Sequence, residues 1–288
     1  MPKPLLLLAA VAVLMAGCSS GAEQAPPADG VSVVASHYPV EFLVEQVGGD
    51  LVDVQTLTSP GTEPHDLELS PQQVGDVQQA SAVFYIGGFQ PAVDQAVTGA
   101  GGTVVDLADG LPLRTSGGGT DPHVWLDPIL MQQMAVTVAD TLAATDPDHA
   151  QDYRTNAARL DEELGALNQQ WTRATTDCTT RTMVVSHEAF GYLADRYGFD
   201  QKGISGLSPE TEPSAAAIAD LTRFVQDNGV TTVYSETLVD PAVAETIAAE
   251  AGVDTATLDP LEGPPAEGDY FTAMRANLET LALGQSCS

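Results

Sequence analysis

After Asp146-Pro147, apolar residues recur in steps of three and four: Ala150, Tyr153, Ala157, Leu160, Leu164, Leu167, Trp171 and Ala174. The face between them is charged or amide-rich. That spacing predicts one amphipathic helix of about 28 residues, roughly 42 Å long, and places the linking segment at 148–177. A single small lobe does not need so long a helix. The stripe is also too short, and too rich in small residues, for a free coiled coil. The helix therefore reads as a backbone joining two lobes, and 288 residues suit two domains at a soft prior of about 150 residues each.

On either side, short β-branched runs alternate with helical patterns. Val31–Ser36, Leu51–Leu57, Ala82–Ile86 and Thr103–Leu107 precede the long helix, and Thr182–Ser186, Thr231–Ser235 and Asp254–Leu258 follow it. Ser70-Pro71, Asp127-Pro128 and Asp240-Pro241 each put an N-cap residue ahead of a proline at the first helical position. Asn228-Gly229 and Gly252 read as helix stops. The alternation predicts parallel sheets covered by helices, an α/β fold of two Rossmann-like lobes. The expected organisation is a signal peptide at 1–17, a flexible tether at 18–30, an N-terminal lobe at 31–147, the linking helix at 148–177 and a C-terminal lobe at 178–288. No Gly-x-Gly-x-x-Gly follows a strand and there is no P-loop, so a nucleotide site has no support.

Ten Lys and Arg stand against 40 Asp and Glu, a net charge of -30. Without a basic stripe to release counterions, a nucleic-acid partner is excluded, and attraction to an anionic membrane surface is disfavoured. Pro4 to Gly17 is an apolar run of 14 residues behind a short positive start. It falls short of the roughly 20 needed to span a bilayer and fits a signal-peptide core. It ends in Met15-Ala16-Gly17-Cys18, which resembles a bacterial lipobox with Cys18 as the lipidated residue. The body is then expected outside the membrane, held by an N-terminal lipid anchor through the polar stretch Ser19–Gly30. Cys178 and Cys287 remain, and an even remainder in an oxidising compartment predicts one disulfide.

The chemistry is expected where strands end, because open parallel sheets bind ligands outside the carboxyl ends of their strands. His65 lies in the loop after Leu51–Leu57, His123 in a loop before a capped helix, and His187 directly after Thr182–Ser186. Asp259 follows Asp254–Leu258. Two groups from each lobe would face a common cleft. Three imidazoles and a carboxylate form a four-coordinate set that zinc favours, whereas manganese prefers more oxygen. Glu236, Glu262 and Glu63 compete with Asp259 as oxygen donors. His37 also follows a strand and is assigned a supporting role, and His149 a solvated one. Because imidazole must be neutral to ligate, metal affinity is expected to weaken below about pH 6.5.

The stretches Gly61–Pro71 (GTEPHDLELSP), Asp121–Pro128 (DPHVWLDP), Ser186–Gly198 (SHEAFGYLADRYG), Gly203–Pro213 (GISGLSPETEP) and Thr257–Gly263 (TLDPLEG) resemble, in order, the zinc/manganese substrate-binding lipoproteins of bacterial ABC importers. The resemblance covers nearly all of the chain after the tether. It implies two α/β lobes, a rigid connecting helix, metal in the cleft, and ligand roles for His65, His123, His187 and Asp259. Manganese-preferring relatives tend to carry glutamate where His187 stands, so the imidazole points to Zn²⁺ rather than Mn²⁺. Thr115–Thr120 (TSGGGT) lacks the His-rich loop of many zinc members.

The expected function is capture of Zn²⁺ and delivery to an ABC permease with its ATPase, by a monomer that is not an enzyme. The alternatives are a manganese or iron importer component, a zinc-dependent hydrolase with Glu188 as base, and a surface adhesin. No His-Glu-x-x-His helix supports the hydrolase. Aromatic residues at 6% are too few to suggest an extensive adhesive face.

Overall fold

The computed structural model describes residues 30–288. The expected signal peptide, the expected lipidation site Cys18 and nearly all of the tether lie outside the described residues.

The N-terminal lobe runs β1 (Val31–Ala35), α1 (Tyr38–Gly48), β2 (Val52–Thr56), α2 (Pro71–Gln79), β3 (Ala82–Tyr85), α3 (Pro91–Ala96) and β4 (Thr103–Asp106). The sheet is parallel with order β2-β1-β3-β4. Its central strands carry unbroken apolar runs, Val33-Val34-Ala35 and Ala82-Val83-Phe84, because helices cover both faces. A small antiparallel hairpin, β5 (Thr115–Ser116) and β6 (Gly119–Thr120), then leads towards α4 (Pro128–Thr145). Its turn needs two left-handed residues, which Gly117 and Gly118 supply at φ 59° and 86°.

The long helix α5 (Ala150–Ala174) has 25 residues and is preceded by a short 3-10 turn at Pro147–His149. It is shorter than expected at both ends: the first residues after Pro147 take the tighter turn, and the helix stops at Ala174 with Thr175 as its C-cap. Tyr153, Ala157, Leu160, Leu164, Leu167 and Trp171 are buried along one face. Early in the helix Asn156 donates to the Val47 carbonyl of α1 at 3.0 Å. Near its end Trp171 stacks on Tyr197, ring centres 5.1 Å apart. One rod thus packs on both lobes.

The C-terminal lobe runs β7 (Thr182–Val185), α6 (Gly191–Tyr197), β8 (Asp200–Gly203), α7 (Ala215–Asp227), β9 (Thr232–Ser235), α8 (Ala242–Ala251), β10 (Asp254–Thr257) and α9 (Tyr270–Gly284). Its parallel sheet has order β10-β9-β7-β8. Read in chain order, both sheets are the same arrangement, with the second strand beside the first and the third on the first strand's other side. Each lobe therefore has a reversal point between its first and third strands, where a crevice opens at their carboxyl ends. The polar run Asp200-Gln201-Lys202-Gly203 gives no apolar signal, yet it forms edge strand β8 by pairing with β7. A disulfide joins Cys178 to Cys287 across a sequence separation of 109.

Candidate metal centre

In each lobe a Ser-His pair ends the first strand. His187 takes extended backbone, φ -136° and ψ 169°, at the start of the helical turn after β7, and His37 does the same after β1, φ -157° and ψ 174°. The reversal point sets Glu236, which follows β9, directly beside His187. Glu236 accepts the His187 backbone N–H at 2.9 Å and pairs with Nδ1 at 2.7 Å. His123 lies in the loop between β6 and α4, where Asp121 accepts its backbone N–H at 3.0 Å and contacts Nδ1 at 2.9 Å. His65 sits in the loop after β2, with its backbone N–H on Glu63 at 3.0 Å.

These loops bring His65, His123 and His187 together with Glu262, donor atoms all within 4.8 Å of one another. Glu262 Oε1 is 3.3 Å from His65 Nε2, 3.3 Å from His123 Nε2 and 3.1 Å from His187 Nε2. The Nε2 atoms of His123 and His187 are 3.3 Å apart. Zinc sits about 2.0–2.1 Å from imidazole nitrogen, so the corners of a zinc tetrahedron lie about 3.3–3.4 Å apart. Four of the six edges are already at or near that length. Carboxylates on Nδ1 of His123 and His187 fix the rings with Nε2 turned to the centre, the usual support for a ligating imidazole.

The group is largely buried: His123 and His187 are fully covered, Glu262 is 2% exposed, and His65 is partly covered. Burial alone would push the Glu262 carboxyl up, but hydrogen bonds with His123, His187 and His65 outweigh it and hold it well below the ordinary carboxylate value. Burial likewise disfavours protonated His187, yet Glu236 and Glu262 overcome it and raise its pKa to about 10. His123 is also raised, Asp121 and Glu262 outweighing burial, whereas burial lowers His65 despite Glu262. A cation at the centre therefore competes with protons held on His187 and His123, so the window of competition reaches well above pH 6.5.

Asp259, expected from the sequence as the fourth donor, lies outside the group, and Glu262 stands in its place. The Asp259 carboxylate accepts the Leu261 backbone N–H at 2.8 Å and the Thr237 hydroxyl at 3.2 Å. Leu261 is left-handed, φ 59°, and Glu262 follows it into the group. Glu262 was legible as a competing donor; the backbone turn that selects it was not. Glu63, which accepts the His65 backbone N–H, has its pKa lifted to about 7 by burial and by the charge of Glu262. Glu188 faces away and accepts a hydrogen bond from Ser116 of the hairpin. His37 is fully buried against Phe89 and Trp125, ring centres 4.6 and 4.8 Å away. His149 is exposed and pairs with Asp146. The supporting carboxylates Asp121 and Glu236 carry only a weak sequence signal, two residues before a histidine and one after a strand.

A family model described as zinc-uptake complex component A, periplasmic, matches residues 33–284. The zinc-binding protein AdcA of Streptococcus pyogenes serotype M6 is 35% identical over 98% of this chain, which spans only 61% of that relative's length. The high-affinity zinc uptake system protein ZnuA of Bacillus subtilis is 29% identical over 96% of this chain and 95% of its own. Among solved structures, the laminin-binding protein Lmb of Streptococcus agalactiae, described as a bifunctional protein with adhesin and metal transporting activity, superposes with a TM-score of 0.84 at 33% identity, over 89% of this chain and 100% of its own. The Zn(II)-bound ZnuA-like domain of Streptococcus pneumoniae AdcA gives 0.79 at 34% identity, over 89% and 99%. The two α/β lobes, the connecting helix and the matched span place this chain in the zinc-uptake component A family.

Proposed function

We propose that the protein captures Zn²⁺ outside the cytoplasm and delivers it to an ABC importer. One observation carries this reading: three imidazole nitrogens and one carboxylate oxygen lie within 4.8 Å of one another between the two lobes, four of their six separations near a zinc tetrahedron's edge and three of the four residues buried. His65, His123, His187 and Glu262 are the ligands in this reading. Zinc is preferred to manganese because three of the four donors are nitrogen. The geometry supports capture rather than hydrolysis, because hydrolytic zinc keeps a fourth position open for water, and here Glu262 fills it.

Calorimetric titration of chelator-stripped protein is expected to show one tight zinc site per chain. His123→Ala with His187→Ala is expected to abolish it; a tight site that survives the double variant would sink the assignment. Zinc binding at pH 7 is expected to release protons, seen as a heat that varies with the ionisation enthalpy of the buffer. The sign follows from His187: its proton is held up to about pH 10, so affinity climbs as pH rises from 6 towards 9.

The partners in this reading are a permease and its ATPase, met by a monomer tethered through lipid on Cys18. No helix among the described residues is long and apolar enough to cross a membrane. The likeness to Lmb brings surface adhesion as a second reading. Loss of growth under zinc starvation on deletion, without loss of attachment, would separate the two.

A further inference from the structure

The segment Asp259–Glu262 is fixed from three directions. From α9, Asn277 accepts the Asp259 backbone N–H at 2.8 Å and donates its own amide to the Asp259 carbonyl at 2.7 Å. Asn277 is 3% exposed, so its amide is committed to this one residue of backbone. From the loop after β9, Thr237 donates to the Asp259 carboxylate, which also holds the Leu261 N–H. From the other lobe, the Trp125 indole donates to the Pro260 carbonyl at 2.8 Å. Trp125 is two residues beyond His123 and its ring lies 5.2 Å from that imidazole.

What these bonds hold is a left-handed, fully buried leucine, Leu261. A non-glycine residue there is strained, and persists only where its surroundings over-determine it. The turn drops the Leu261 side chain into the core and sends Glu262 back towards the histidines. Released from its ties, the backbone would relax towards ordinary φ and carry the Glu262 carboxylate off its position.

We propose that Asn277 is a positioning residue for Glu262, acting through the left-handed Leu261 turn, and that Trp125 joins this turn to the His123 loop so that the two donors are pre-set as a pair. The inference rests on the zinc-capture reading and deepens it. Asn277 touches no ion; it acts on affinity only by way of Glu262.

The test is a double-mutant cycle on chelator-stripped protein, titrated with zinc and, separately, loaded with Co²⁺ for its visible spectrum. Asn277→Ala is expected to weaken zinc binding by about ten- to a hundredfold, the range for groups that orient ligands. It is expected to move the cobalt bands away from the tetrahedral pattern, as is expected of Glu262→Gln. In the Glu262→Gln background, Asn277→Ala is expected to cost almost nothing further. An Asn277→Ala loss of the same size with and without Glu262, or an unchanged cobalt spectrum, would overturn the proposal. If Asn277→Ala does not fold, Thr237→Val takes its place in the same cycle, since the Thr237 hydroxyl is exposed. Its penalty must likewise disappear with Glu262, or the proposal fails. A wild-type protein without a tight zinc site would defeat the capture reading itself, an outcome separate from either of these.

Discussion

His37 is fully buried, pairs through Nδ1 with the Ser36 hydroxyl at 2.8 Å, and leaves Nε2 without a partner. Burial lowers its pKa to about 3. In the unfolded chain the same ring takes up a proton near pH 6.5. Between those values the unfolded state binds more protons at this residue, so the contribution of His37 to the stability of the metal-free protein rises with pH from 3 to 6.5 and is lost on acidification. The contribution of this one residue approaches about 1.4 kcal/mol per pH unit. His37→Phe, which keeps a ring between Phe89 and Trp125, is expected to flatten that acid limb in urea unfolding at pH 4.5, 5.5 and 6.5. Equal slopes for both proteins would count against it. The fourth donor is a second matter of single residues. Asp259→Ala is expected to weaken zinc binding more than Asp259→Asn, which keeps an oxygen for the Leu261 N–H; a ligand carboxylate would suffer from both. At this scale the histidines were legible, because strand ends in α/β sheets are where ligands gather. The choice between Asp259 and Glu262 was not, because it depends on the sign of one φ angle and on Asn277, far along the chain.

Elements were easier to read than residues. The three- and four-residue steps of α5 name its buried face residue by residue, and Ser70 forms a full capping box with Gln73 ahead of α2. Leu160, fully buried on α5, is expected to cost about 2–5 kcal/mol on Leu160→Ala, measured by urea unfolding. Strand β8 escaped notice because edge strands need only their backbone to pair. The start of α6 shows a constraint that sequence alone hides. A Cβ on Gly191 would fall 2.7 Å from both the Arg114 Nε and the Asp121 carboxylate, so this helix needs a bare backbone where the other lobe presses against it. Gly191→Ala is expected to destabilise by about 1–3 kcal/mol. It is also expected to weaken zinc binding, because Asp121 is the group it displaces from His123.

For the whole molecule, the periodicity and the alternation of strands and helices gave two lobes and a rod, while the ties between the lobes had no sequence signal. Those ties are dense around the His123 loop. Arg196 of α6 grips Asp127 with Nε at 3.0 Å to both carboxylate oxygens, Tyr192 donates to the Asp121 carbonyl at 2.7 Å, and Tyr270 to the Trp125 carbonyl at 2.7 Å. With α5 packed on both lobes, zinc loading is expected to leave the radius of gyration in solution scattering essentially unchanged; a clear contraction would show that these ties open. The disulfide acts at this scale too. Replacing Cys178 and Cys287 with serine is expected to lower stability by about 2–4 kcal/mol while zinc stoichiometry stays at one. The same bond has a mechanical meaning. Pulled from residues 30 and 288, the chain would pass tension straight from Cys178 to Cys287. The 109-residue separation between them would stay a slack ring, hiding about 360 Å of contour length until the bond is reduced. Once the ties between the lobes have parted, the lobe that carries His187 and Glu262 would bear no load.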